Sequence, residues 1–475
     1  MTQPDTARDE FLACLGEAQA TLDEGFSRLP PSPQPTLGDD AAAILREAAE
    51  RLQHDDPYAH PLYAGQMLKP PHPIARAAYA LAMSLNPNNH ALDGGRASSA
   101  MEFEAVAALA KMFDWPQHIG HLTSGGTFAN LEALWIAGRL QREQGSGFAV
   151  AASDQAHYTH ARISAVLGLP FVSIPSDNAG RMDLNALEDA LKTREIGTVV
   201  TTLGTTATGA VDPLDSIVEL QARHGFRLHV DAAYGGYFTL AANLDPAARA
   251  AFNAIPHADS LVVDPHKHGL QPYGCGCILF RDPTVGRFYK HDSPYTYFTS
   301  TDLHLGEISL ECSRAGASAA ALWATQKLLP YIPGGEFAKG LESGREAALA
   351  LNRNLCADPR VVLPNARPEL DIAVWAPRAK TLDESSALSQ AIFDEARSRD
   401  LYLALAKLPV KFFPSGTWAA NGVPAQPADE HITCLRSVMM KPEHLQWEDE
   451  IWRRLDAATT AVLAVNTHAS QGPPT

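Results

Sequence analysis

Four short stretches in the middle of the chain carry side chains whose chemistry converges. Asp264-Pro265-His266-Lys267-His268-Gly269 follows the apolar run Leu261-Val262-Val263 directly. A lysine amine at the end of a buried strand is partly desolvated, and in that state it can condense with a carbonyl to form an imine. Asp231, in His229-Val230-Asp231-Ala232-Ala233-Tyr234-Gly235-Gly236, ends another apolar run. A carboxylate so placed is costly unless it is paired. One partner that fits is a protonated pyridine nitrogen, which would let an aromatic ring act as an electron sink. The plainer alternative is an acid that caps the next turn.

The other two stretches supply the ends of such a site. In Thr123-Ser124-Gly125-Gly126-Thr127, glycines let backbone amides close on an anion, and the helix that follows offers its positive end. The pattern suits a phosphate, yet it is neither a P-loop nor a dinucleotide fingerprint. His157, in SDQAHYTHAR, stands just past a strand, where an imidazole can stack on an aromatic ring or simply be a satisfied histidine. His160 competes for that role but lies farther from the strand end.

The elements that must position these residues follow from periodicity. From about residue 118, short β-rich runs alternate with amphipathic helices, the pattern of βαβ units. The expected fold class is α/β: a mainly parallel sheet of seven strands with helices on both faces, in which ligands bind at the strand ends. Asp183 is placed to cap the helix LNALEDALKT. The expected organisation is a helical N-terminal segment at 1–56, a large domain at 57–335, a small α+β domain at 336–465 and a disordered tail at 466–475. The glycine pair Gly334 and Gly335 marks the break between the two domains.

Composition narrows the function classes. The formal net charge of −16 argues against a basic surface for nucleic acid or anionic lipid. No apolar run is long enough to span a membrane, and the start, MTQPDTARDE, is acidic and polar, which gives an expectation of a cytoplasmic protein. The six cysteines are scattered, with no zinc-type pair, so neither a disulfide framework nor a metal site is expected. Cys275 and Cys277 share one face of a strand and are expected to be buried.

Taken in order and spacing, TSGGT, the His157 stretch, TLGTTATGAVDP, HVDAAYGG and DPHKHG resemble the group II pyridoxal-phosphate-dependent amino-acid decarboxylases. They also resemble the related sphingosine-phosphate-lyase branch. The likeness runs from about Pro57 to Pro442, and HVDAAYGG with DPHKHG is its most specific part. It implies the fold of aspartate aminotransferase (fold type I), pyridoxal 5'-phosphate as cofactor, and a homodimer with shared sites. By the same likeness Lys267 would form the Schiff base, Asp231 would pair with the ring nitrogen, and His157 would stack on the ring. Gly126 and Thr127 would hold the phosphate, Thr205 and Ala233 would pack around the ring, and His266 would flank the phosphate or the imine. Arg436 would meet the substrate carboxylate.

The likeness is not uniform. The segment between Lys267 and Ala315 is short, and its SRAGA turn resembles that of the lyase and archaeal tyrosine or aspartate decarboxylase branch, where it reaches the phosphate of the partner subunit. Ser313 and Arg314 take that expectation here. Tyr295 and Tyr297 are both candidate proton donors. Gln66 and Arg96 fall in the segment that, in the family this chain resembles, lines the side-chain pocket, often from the neighbouring subunit, although Arg96 would equally serve in a surface salt bridge. Arg96 suits an acidic substrate and the tyrosines an aromatic one. The expected reaction is decarboxylation of a small L-amino acid to its amine, with carbon–carbon cleavage or transamination as the alternatives on this fold.

Overall fold

The computed structural model describes residues 6–33, 36–90, 92–145, 147–290, 309–418 and 430–469. Tyr295 and Tyr297 lie outside the described residues, as does the tail from 470. Seven strands build the principal sheet: β1 (Ile119–Thr123), β2 (Ala149–Ser153), β3 (Phe171–Ile174), β4 (Ile196–Thr202), β5 (Arg227–Asp231), β6 (Ser260–Val263) and β7 (Gly276–Phe280). Their spatial order is β1-β7-β6-β5-β4-β2-β3. The block β3-β2-β4-β5-β6 is parallel, while β7 runs antiparallel between β6 and β1. β1, β2, β5, β6 and β7 hold the apolar residues of buried strands covered on both faces. Because the crossovers are helical, the carboxyl ends of β4, β5 and β6 all open at one edge, which gathers Thr202, Asp231 and Asp264 there.

Local chemistry explains the helix that matters most for the site. Gly126–Gln144 follows β1 through the turn Ser124-Gly125 and ends on Gly145, whose φ of +68° gives a left-handed cap. Gly125, at φ +155°, takes a backbone conformation that other residues rarely adopt. The expected Asp183 cap is present, with its carboxylate accepting from the amides of Asn185 at 2.8 Å and Ala186 at 3.1 Å.

The C-terminal part adds an antiparallel sheet of order β10-β11-β9-β8, formed by β8 (Val361–Val362), β9 (Ile372–Pro377), β10 (Ala404–Pro409) and β11 (His431–Val438). β8 was not anticipated, because two residues between a long helix and a proline leave no periodic trace. Gly334 and Gly335 do stand at a break, immediately before the helix Glu336–Ala357. Segment 62–64 is stitched into this sheet: Ala64 donates to Tyr402 O at 2.9 Å, and Val438 donates to Ala64 O at 2.8 Å. Cys275 and Cys277 are both buried, as expected.

One buried ion pair ties the helix Leu92–Met112 to β1 and to the turn at Arg314. Glu102, on the helix Leu92–Met112, is buried and holds Arg314, and it also accepts from Leu122 N at 2.9 Å and Asn89 Nδ2 at 2.6 Å. Replacing Arg314 by leucine leaves that carboxylate in the interior without its counter-charge. The loss of folding stability should be about 3–5 kcal/mol, read from urea unfolding, and an unchanged unfolding midpoint would show the pair to be dispensable.

Candidate active site

The open edge of the sheet encloses a cavity of about 300 Å³. Its walls include the turn Ser124 to Thr127, His157, Thr202, Gly204, Thr206, Asp231, Ala233, Asp264, His266 and Lys267. Residues from five separate stretches of sequence thus meet in one place. Lys267 Nζ lies 3.0 Å from Asp264 Oδ2, and His266 Nε2 lies 3.5 Å from the same oxygen. Burial lowers the pKa of His266, so the pairing of Asp264 is with the lysine. A Cβ on Gly126 would sit 2.7 Å from Asp264 Oδ2, so the helix end can approach this carboxylate only because residue 126 is glycine.

Asp231 closes the other side. Its Oδ2 lies 2.8 Å from His160 Nε2, and its Oδ1 accepts from Ala233 N at 3.2 Å. Burial pushes this carboxyl upward, but the hydrogen bond and charge of His160, followed by Lys267 and His229, outweigh it and hold the pKa well below the ordinary value. Asp231 is therefore ionised at neutral pH. The histidine that touches Asp231 is His160, one helical turn beyond His157, and it is fully buried. Sequence reasoning had placed His160 second because of its distance from the strand end. The i, i+3 step at the start of the helix Thr159–Leu167 lets both imidazoles reach the same edge. His157 lines the cavity itself, and its Nδ1 accepts from Thr159 N at 3.3 Å. Burial lowers its pKa, leaving a neutral ring.

Several expected residues are placed differently. The hydroxyl of Thr205 turns into its own loop, 3.1 Å from Thr208 Oγ1 and accepting from Ala210 N at 3.1 Å, while its neighbours Gly204 and Thr206 face the cavity. Arg314 is not presented outward toward a partner's phosphate. Its guanidinium is buried against Glu102, Leu122 O and Asn89 O, because the buried carboxylate of the helix Leu92–Met112 claims it. Ser313 accepts from Asn88 Nδ2 at 3.1 Å. The residue of that turn that does reach the glycine turn is Glu311, whose Oε2 accepts from Ser124 N at 2.9 Å. Arg96 pairs with Asp93 at 3.2 Å on the rim of a separate, apolar cavity, away from Lys267. Arg436, on β11, donates to Thr206 O at 2.7 Å and to Gln66 Oε1 at 3.4 Å, which brings it and Gln66 to the wall that Thr206 forms. The sequence assigns no role to Asp264, Thr202 or Glu311. Asp264 alone left a signal, as the acid three residues before the lysine.

A family model described as the pyridoxal-dependent decarboxylase conserved domain matches residues 28–364. The chain belongs to that family. It is a pyridoxal-phosphate-dependent amino-acid decarboxylase. Relatives include an L-tyrosine decarboxylase of Enterococcus faecium, 27% identical over 75% of this chain and 76% of that protein. A probable L-tyrosine/L-aspartate decarboxylase of Methanoculleus marisnigri is 33% identical over 55% of this chain and 68% of its own. Among solved structures, mouse CSAD in apo form aligns with a TM-score of 0.76 at 20% identity, covering 96% of this chain and 99% of that one. Oryza sativa TDC with PLP and tryptamine aligns at a TM-score of 0.75 and 18% identity, covering 97% and 99%. These two likenesses establish the fold, with the parallel sheet and small antiparallel sheet described above.

The decarboxylase also carries a buried carboxyl between the turn after β5 and the start of β9. Asp371, just before β9, is fully buried and accepts the Tyr234 hydroxyl at 2.5 Å. His268 Nε2 lies 3.3 Å from its other oxygen without hydrogen-bond alignment, and burial drives that histidine's pKa well down, so it is neutral. Burial pushes Asp371 up to about 6, with the Tyr234 hydrogen bond offsetting only part of it. A carboxyl raised on folding binds its proton more tightly in the native state. Stability is therefore fullest below its unfolded pKa and falls as pH rises toward 6. Asp371→Asn, which keeps an acceptor for Tyr234, should be more stable than the parent above pH 6 by on the order of 3 kcal/mol, with the gap closing near pH 4. Urea unfolding at stepped pH measures this, and a variant less stable than the parent at pH 7 would contradict it.

Proposed function

We propose that this decarboxylase acts on a small L-amino acid with an aromatic or acidic side chain, releasing CO2 and the amine, at the cavity holding Lys267. The observation that carries the reading is the convergence on one cavity of a lysine amine, an ionised buried carboxylate and the open end of a helix. The lining residues suit pyridoxal phosphate. Three buried polar atoms among them have no hydrogen-bond partner among the described residues: Thr202 Oγ1, Asp264 Oδ1 and His266 Nδ1. The amides of a helix's first turn have no acceptor within the helix, which favours an anion at Gly126 and Thr127.

When bound, the cofactor supplies an electron sink for the pair left behind as CO2 departs. Lys267 would hold it covalently, with Asp264 keeping the amine in place. Asp231, held by His160 and the Ala233 amide, would keep the proton of the ring nitrogen in place. His157 and Ala233 would bound the two faces of the ring, and His266 its phosphate side. Arg436, steadied by Thr206 O and Gln66, would orient a substrate carboxylate. The proton returned to Cα would come from His157, Tyr295 or Tyr297.

The likeness to the family is what favours a homodimer with shared sites, in which Arg96 and Ser313, absent from the lining of their own chain's cavity, would serve the neighbouring subunit. All six cysteines are free thiols, in keeping with a reducing cytoplasm. Incubation with the twenty amino acids, followed by detection of CO2 and amine, tests the function. Tyrosine, aspartate or a close analogue should give both products, whereas a keto acid without CO2 would indicate transamination instead. Asp231→Asn, which preserves size but keeps only one acceptor oxygen, should cut kcat by about 10²–10³ while the protein stays folded, and full turnover in that variant would contradict the role given to Asp231.

A further inference from the structure

Beneath the glycine turn runs a line of buried groups to which the chemistry above gives no task. His229 Nδ1 lies 2.9 Å from Ser260 Oγ, and its Nε2 lies 2.8 Å from Asn130 Oδ1. The amide nitrogen of Asn130 then donates to Gly126 O at 2.8 Å. All three side chains are buried. The direction of every bond is fixed from one end. Gly126 O can only accept, so Asn130 must present Nδ2 to it and Oδ1 to His229. His229 therefore carries its hydrogen on Nε2, and its Nδ1 accepts from the Ser260 hydroxyl. Burial, followed by the neighbouring His160, lowers the pKa of His229 to about 3, so this tautomer persists at working pH.

The far end of this line has a consequence for the cavity. The Gly126 carbonyl and the Thr127 amide share one trans peptide plane and point in opposite directions. A bond that draws the carbonyl down the helix axis therefore aims the Thr127 N–H out of the helix end, toward the cavity that Thr127 lines. Residue 126 cannot steady that plane with a side chain of its own, because a Cβ there would meet Asp264 Oδ2 at 2.7 Å. The Asn130 side chain holds the carbonyl from below, in addition to the helix's own backbone bonding.

We propose that His229 is a positioning residue that, acting through Asn130, aims the Gly126–Thr127 amide at the cofactor's phosphate. This rests on the reading that the cavity holds pyridoxal phosphate with its phosphate on the glycine turn. Two substitutions separate the histidine's two bonds. His229→Gln reaches Asn130 with an N–H donor, whereas His229→Asn keeps only the nearer partner, Ser260.

The test is titration of the apoenzyme with pyridoxal phosphate and, separately, with pyridoxal, which lacks the phosphate, following absorbance. His229→Asn should weaken pyridoxal phosphate about tenfold, the loss of one hydrogen bond to a binding group, and should leave pyridoxal unchanged. His229→Gln should bind both like the parent. Asn130→Ala, whose substitution leaves the strands untouched, should reproduce the tenfold loss, and adding His229→Asn to it should cost nothing further. Equal losses for both ligands would reveal a general packing defect and overturn the proposal, as would unchanged affinity in His229→Asn and Asn130→Ala. A parent protein that binds neither ligand would overturn the reading of the cavity, and this proposal with it.

Discussion

A carboxylate buried at the end of a central strand is the constraint on which the rest of this site depends. Asp231 is 4% exposed, and an ion so placed survives only where its charge is answered at short range. His160 answers one oxygen and the Ala233 amide the other, and the remaining face of the carboxylate opens on the cavity. Holding that arrangement fixes much around it. The helix Thr159–Leu167 must begin where it brings His160 inward, and this leaves His157, three residues earlier, at the cavity wall.

The same edge of the sheet carries a second carboxylate, Asp264, which binds the lysine amine rather than a histidine. The two acids do different work because their partners differ. Asp231 meets a buried imidazole and lines the cavity, while Asp264 lies against Lys267 and the helix end. The glycine at residue 126 is the geometric counterpart of that second pair, since any side chain would part the helix from the carboxylate. Positive helix end, cation and two anions are thus packed within one cavity of about 300 Å³, with their charges arranged to suit a small, anionic, ring-shaped cofactor.

Much of this was legible in the sequence because it rests on local pattern. All seven strands of the principal sheet were visible as short β-rich runs between amphipathic helices, and Asp231 and Lys267 were visible as polar residues breaking those runs. What was not legible depends on contacts across long stretches of chain. Arg314 looked available for a phosphate until Glu102, more than two hundred residues earlier, proved to claim it. Thr205 looked like a wall residue, yet its hydroxyl closes its own turn. His160 was discounted on distance along the chain, when a single helical turn was enough to deliver it. Glu311 carries no motif at all, and only the fold brings it to Ser124. The likeness to known decarboxylases supplied the cofactor, and the folded chain supplied the hydrogen bonds that suit it.

The central claim concerns one nitrogen atom, Lys267 Nζ. Reduction of the cofactor-loaded enzyme with borohydride would fix any cofactor–lysine linkage, and peptide mass mapping would then locate it. A single modified peptide containing Lys267, at near-full occupancy, is expected. Modification of a different lysine, or none in a protein shown to have bound the cofactor, would contradict it.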